Sequence, residues 1–162
     1  MRTFSEYIRE AVDFRLGGKA NKGLQYNYTP KDRDELEELM KKLRKERGED
    51  GDFNDIDTQY ITNMSYLFYS DKSSAIKFNG DISLWNTSNV TKMKSMFQHS
   101  KLFNKDISMW DTSEVTDMST MFYKAKAFNT DISQWNVSNV TRHVAMFIGC
   151  PIKEEYKPKF KI

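Results

Sequence analysis

The sequence contains one cysteine, Cys150, so no disulfide can form within the chain. Long apolar runs are missing as well. The opening stretch MRTFSEYIREAVDFRLGG carries charges throughout, without the apolar core of a secretory signal or the longer run of a transmembrane helix. The expectation is a chain that is cytoplasmic as synthesised. An excess of one charge is also lacking: 25 basic side chains face 23 acidic ones, a formal net charge of +2. Nucleic-acid and membrane binders use a basic excess to gather phosphates, so neither partner is expected. There is no glycine-rich phosphate loop, no pair of catalytic acids and no zinc-ligand spacing. No enzyme activity, metal or cofactor is therefore expected.

What is present is aromatic. Aromatic residues make up 14% of a chain that is only 38% hydrophobic, so a few large side chains must supply most of the buried area. They recur at a fixed period. Phe78–Leu102 reads FNGDISLWNTSNVTKMKSMFQHSKL, Phe103–Ala127 reads FNKDISMWDTSEVTDMSTMFYKAKA, and Phe128–Ile152 reads FNTDISQWNVSNVTRHVAMFIGCPI. The shared frame is F-N-x-D-I-S-x-W-[ND]-[TV]-S-x-V-T-x-x-x-x-M-F. A degenerate copy lies upstream, where Asp57–Phe68 matches Asn86–Phe97 at an offset of 29 residues, with Ile56 in the tryptophan position. The longer loop falls between Tyr69 and Lys77.

A period of 25 residues is too short for a helix pair or a propeller blade. It suits one solenoid coil, with the V-T-x-M segment (Val90–Met93, Val115–Met118) as its strand and S-x-M-F opening the return. Such strands would stack into a parallel sheet about 4.8 Å apart. The expected fold is thus an α+β repeat solenoid, a short parallel sheet of about four coils with an N-terminal helical cap. Residues 1–52 would form helices and an arm, 53–152 the repeats, and 153–162 a C-terminal cap or edge strand.

Each repeated position defines a column. Phe78/Phe103/Phe128, Ile82/Ile107/Ile132, Trp85/Trp110/Trp135, Ile61/Val90/Val115/Val140 and Phe68/Phe97/Phe122/Phe147 are core candidates. Asn79/Asn104/Asn129 suits an asparagine ladder, in which side-chain amides satisfy backbone groups at the turns. Asp81/Asp106/Asp131 suits turn or helix capping.

The strings W-[ND]-[TV]-S-x-V-T-x-M-x-x-M-F and F-N-x-D-I-S resemble the BspA-like leucine-rich repeat of the DUF285 type, over roughly Ile56–Ile152. That resemblance implies a leucine-rich-repeat-like solenoid used for protein contacts, in a family found at bacterial cell surfaces. The opening MRTFSEYIREA is also similar to the start of some tailed-phage structural proteins, which implies association with a virion.

Outside the repeats, Phe4, Tyr7, Ile8, Ala11, Val12 and Leu16 form a helical stripe ended by Gly17-Gly18. Lys19–Thr29 reads as a loop or arm. A second helix is signalled by Thr29 as N-cap, Pro30 at the first helical position, acidic residues behind it, the stripe Leu36, Leu39, Met40 and Leu43, and Gly48 as stop. It reads as a lid for the solenoid, with a partner-docking helix as the alternative. Tyr156, Phe160 and Ile162, alternating with lysines, read as a charge-guarded edge strand.

Several features invite a sharper reading. The tryptophan column suits core packing, against an aromatic platform for a sugar or base. The aspartate column lacks the D-x-D pattern of a calcium site. Cys150 reads as a buried small thiol rather than a nucleophile, since no histidine has a repeat-defined place near it, His143 as a core or cap residue, and His99 as part of a variable loop. Function is sought where the copies differ. The column Asn63/Lys92/Asp117/Arg142 and its neighbour Ser65/Lys94/Ser119/Val144 flank the strand and are expected to face solvent. A mixed-charge stripe suits a protein partner better than a polyanion, and Asn63, Lys92, Lys94, Asp117 and Arg142 are the partner-binding candidates. An ordinary solvated face is the alternative. The expected function is a protein-interaction module, or else a structural subunit of a particle such as a phage virion.

Overall fold

A computed structural model of the protein describes residues 26–70 and 77–161. The stripe of residues 4–16 and the linker after it lie outside the described residues. Helix α1 spans Arg33–Arg47. Its N-cap is Asp32 rather than Thr29, and Pro30 precedes the cap instead of opening the helix. The reason is local: the Asp32 carboxylate accepts the Glu35 N–H at 2.9 Å, and Glu35 in turn accepts the Lys31 N–H at 2.9 Å. This satisfies first-turn donors that a cap at Thr29 would leave three residues away. Gly48, at φ 80°, ends α1 and donates its N–H to the Arg44 carbonyl.

Leu36, Met40 and Leu43 are buried and belong to the same apolar cluster as the repeats. Three arginines on α1 join it to the repeats and the adjoining loop. Arg33 donates twice to the Ser65 carbonyl, Arg44 grips Glu49 and lies 5.7 Å from the Phe78 ring centre, and Arg47 pairs with Asp55 at 2.6 Å.

The repeats pile their equivalent side chains on one another. Numbered along the chain, the copies are 53–77, 78–102, 103–127 and 128–152. The ring centres of Phe78, Phe103 and Phe128 follow at 6.0 and 6.1 Å, and those of Phe68, Phe97, Phe122 and Phe147 at 5.4, 5.5 and 6.0 Å. The two phenylalanine columns interdigitate at 3.9–4.0 Å. Trp85, Trp110 and Trp135 are buried beside them, each donating its indole N–H to a backbone carbonyl, of Phe53, Ile82 and Ile107 respectively. Burying an indole without that partner would cost on the order of 1–3 kcal/mol. Ile56, in the tryptophan position of the first copy, is likewise buried.

The expected parallel sheet is not formed. Among the described residues there is one α-helix, one short 3₁₀ turn and no strand, so neither a sheet nor a solenoid of parallel-sheet coils is seen. Parallel pairing among the described residues occurs only as isolated bridges: Asn63 to Lys92, Lys92 to Asp117 and Asp117 to Arg142 along the repeats, with Tyr28 to Ile56 and Asp52 to Asp81 at their start. The cause is a succession of tight turns. In the second copy alone, i-to-i−3 hydrogen bonds close turns at Ile82–Trp85, Thr87–Val90, Met93–Met96, Ser95–Gln98 and Phe97–Ser100. The supposed strand Val90–Met93 begins where one turn closes and ends where the next opens. The β-branched Val-Thr pair therefore marks a single rung between turns.

Side-chain chemistry enforces these turns. Asp81, Asp106 and Asp131 each accept the N–H of the serine two residues on, at 2.9–3.0 Å. The [ND] position after tryptophan does the same: Asn86 to Ser88, Asp111 to Ser113 and Asn136 to Ser138. Asx turns of this kind bend the chain within three residues. The asparagine column does form a ladder. Asn79 Oδ1 accepts the Asn104 N–H, Asn104 that of Asn129, and Asn129 that of Lys153, at 2.8–3.1 Å.

The tail also departs from expectation. Glu154–Tyr156 forms a 3₁₀ turn, and no edge strand is present among residues 153–161. Tyr156 accepts the Ile132 N–H through its carbonyl, and Phe160 stacks on His143 with centres 4.0 Å apart. His143 is exposed apart from that ring.

Candidate binding face

The candidate residues are brought into one row. Asn63, Lys92, Asp117 and Arg142 sit at successive bridge positions, so the variable column crosses all four copies. Each is followed three residues on by backbone in the left-handed region: Tyr66 (φ 63°), Ser95 (55°), Thr120 (55°) and Ala145 (57°).

The row is not uniformly exposed. Lys92, Lys94 and Arg142 reach solvent and Asn63 is half-buried, but Asp117 is buried. Its side chain is only 9% exposed against 62% for Arg142, whose Nε lies 3.1 Å from the carboxylate. Burial opposes ionisation of Asp117. The Ser119 amide and hydroxyl, with the Arg142 and Lys94 charges, outweigh it and hold the carboxyl below the usual range. The Ser119 N–H bond is 2.9 Å, and Asn63 makes the same contact to Ser65. Asp117 is thus both a turn-former and an ion-pair partner, and the solvent-facing charge of the row is positive.

In the neighbouring column, the Lys94 ammonium lies 5.8 Å from the Tyr66 ring centre, and Val144 is openly exposed. Beside it runs a feature that the columns of matched residues did not reveal. Tyr66, Tyr69, His99 and Tyr123 follow one another with ring centres 5.8, 6.5 and 5.5 Å apart, all edge to face. His99, read as a variable-loop residue, is half-buried between two tyrosines. The signal was present but divided between adjacent columns, since Tyr69 and Tyr123 share one repeat position and His99 occupies the next.

Cys150 is half-buried, and burial pushes its thiol up from the ordinary value; its Sγ lies 3.4 Å from the Phe128 carbonyl oxygen. A low-pKa nucleophile needs the opposite environment. Among the described residues no group of three or more His, Cys, Asp or Glu side chains could hold a metal ion, and no helix is long and apolar enough to cross a membrane.

Comparison with curated proteins and with solved structures gives no match. A family model does match, over residues 35–158, from within α1 through all the repeats and into the tail. That span covers most of the sequence, and the chain belongs to the family described as Mycoplasma protein of unknown function, DUF285.

Proposed function

We infer that the chain is a non-enzymatic protein-interaction module whose contact face is the row Asn63, Lys92, Asp117 and Arg142 with Lys94 beside it. The observation that carries this reading is the alignment of a repeat column that differs in all four copies along successive bridge positions. Core and turn positions repeat because each copy needs them. This column differs in every copy, and its two cations, Lys92 and Arg142, face solvent with Lys94 beside them. Likeness of the W-[ND]-[TV]-S-x-V-T strings to BspA-like repeats, which make protein contacts, supports the same reading.

The test is affinity capture from the native source with identification by mass spectrometry, comparing the parent with Lys92→Glu/Lys94→Glu. Both side chains are exposed, so the fold should survive the change. A partner retained by the parent and lost by the variant is expected. A partner held equally by both would move the site elsewhere. Recovery in fixed proportion from purified particles would replace this reading with a structural subunit, such as one of a virion.

A further inference from the structure

We propose that the partner of this face is an extended protein segment rich in acidic residues, seated along the lysines and the tyrosine–histidine ladder beside the row. This rests on the interaction reading above and names the chemistry of the partner.

The first argument is charge. The sequence column looks mixed, but burial and Arg142 take Asp117 out of play. What remains outward on this side is Lys92 and Lys94, with the half-buried Lys124 on Tyr123 in the next copy. The segment 92–105 contains no aspartate or glutamate, and in its counterpart 117–130 the one carboxylate is the buried Asp117. The balanced charge of the whole chain therefore conceals a one-signed strip, the electrostatic footprint that selects an oppositely charged partner.

The second argument decides between anions. A basic strip with aromatic rings could serve a nucleic acid, whose bases stack on open ring faces. Here the rings are engaged. Lys124 lies 5.0 Å from the centre of Tyr123, which also meets His99 at an interplanar angle of 80°. Lys94 covers Tyr66, which meets Tyr69 at 78°. The strip's own cations are lysines, point charges without the planar fork that grips phosphate. Carboxylates need only the ammonium groups, and the aliphatic part of a peptide can lie on the ring edges.

The third argument is spacing. Equivalent rings in successive copies stand 5.4–6.1 Å apart. Alternate side chains of an extended peptide repeat every ~6.6 Å, close to the step between copies, so such a segment can follow the ring ladder from Lys94 on Tyr66 at one end to Lys124 on Tyr123 at the other.

The test uses the full chain and a fluorescein-labelled peptide of alternating glutamate and serine, read by fluorescence anisotropy at physiological salt. A lysine–serine peptide, an oligothymidylate and a heparin fragment of matched length serve as comparisons. The glutamate peptide should bind, and Lys94→Glu/Lys124→Glu should bind it about tenfold more weakly. Lys41→Glu/Lys45→Glu, on exposed positions of α1, should bind as the parent does. Unchanged tryptophan emission will show that the variants are folded, and Lys94→Gln/Lys124→Gln gives a milder version of the same loss. No binding of the glutamate peptide, equal binding by parent and variant, or tighter binding of oligothymidylate or heparin would each overturn the proposal. A natural partner captured by the parent and by Lys94→Glu/Lys124→Glu, but lost from Lys92→Glu/Lys94→Glu, would leave the interaction reading standing while refuting the acidic segment.

Discussion

Replacing Thr87 with valine should destabilise the protein by about 1–3 kcal/mol although it removes no volume. Thr87 is fully buried, and its Oγ1–H donates to the Asp111 carbonyl of the next copy at 2.9 Å. Thr58 donates likewise to Asn86 and Thr112 to Asn136. Each hydroxyl thus ties one copy to the following one inside the core. Valine matches threonine in shape, so no cavity forms, and the cost is that of a carbonyl left without its donor in a dry site. The fourth copy supplies the control. Its equivalent residue is Val137, a buried side chain without a hydroxyl. Val137→Thr should therefore not stabilise the protein, and burying the new hydroxyl should cost about 1 kcal/mol. Urea unfolding followed by tryptophan emission reads both changes, because Trp85, Trp110 and Trp135 are 1%, 3% and 4% exposed and will shift together on unfolding. The midpoint should fall for Thr87→Val with the slope unchanged. A Thr87→Val protein within about 0.5 kcal/mol of the parent, or a Val137→Thr protein more stable than the parent, would refute the reasoning.

Gly80→Ala should cost at least about 1–3 kcal/mol, since a Cβ there would lie 2.3 Å from Phe53 Cε2; thermal unfolding checks it. Ala145→Gly should stabilise by about 0.5–1 kcal/mol, because relief of a left-handed conformation at φ 57° exceeds the added entropy of the unfolded chain; a lower urea midpoint would contradict this. Acid should unfold the protein in the carboxylate range. Arg47 holds Asp55 low against burial, while burial of Asp81 is outweighed by Ser83 and Asn54, and that of Asp117 by Ser119 and Arg142. Depressed folded values mean stability that is complete above the ordinary carboxylate value near 4 and is lost as pH falls through the lower folded ones. Asp117→Asn should flatten that fall in a pH series of urea midpoints.

The sequence located the repeats, their columns and the core, because identical side chains at one period must occupy identical environments. Phe78, Phe103 and Phe128 stack as the alignment required, and Asn79, Asn104 and Asn129 make the expected ladder. Backbone geometry was less legible. Val90-Thr91 has strand propensity, yet Asn86 and the kink at Ser95 fix turns on either side of it. Propensity describes a residue, whereas these turns arise from pairs such as Asn86 with Ser88. The N-cap was misplaced for a similar reason: Thr29-Pro30 is a good local signal, but Asp32 with Glu35 and Lys31 satisfies more donors. Asp117 looked like an exposed charge because its column neighbours are lysine and arginine. Its burial follows from the Ser119 amide two residues on, a pairing inside the copy that comparison between copies cannot reveal.

The same distinction separates what the repeat must keep from what it can present. A chain bent by a tight turn every few residues leaves few side chains that neither fill the core nor close a turn. In the second copy, Ile82, Trp85, Val90, Met93, Met96 and Phe97 are buried, while Asp81 and Asn86 are committed to turns. Lys92 and Lys94, beside the kink at Ser95, are among the exposed side chains that remain, with Asn89, Lys101 and Leu102 elsewhere in the copy. In the third copy the two positions become a turn-former, Asp117, and Ser119, while a half-buried lysine, Lys124, stands where the second copy has His99. The fourth copy offers Arg142, 3.1 Å from that aspartate. Charge on this side is thus fixed by which positions the turns release. A strip whose lysines stand at the two ends of a ring ladder, Lys94 on Tyr66 and Lys124 on Tyr123, reads an extended partner more readily than a compact one, because its cations are spread along the ladder and not around a single point.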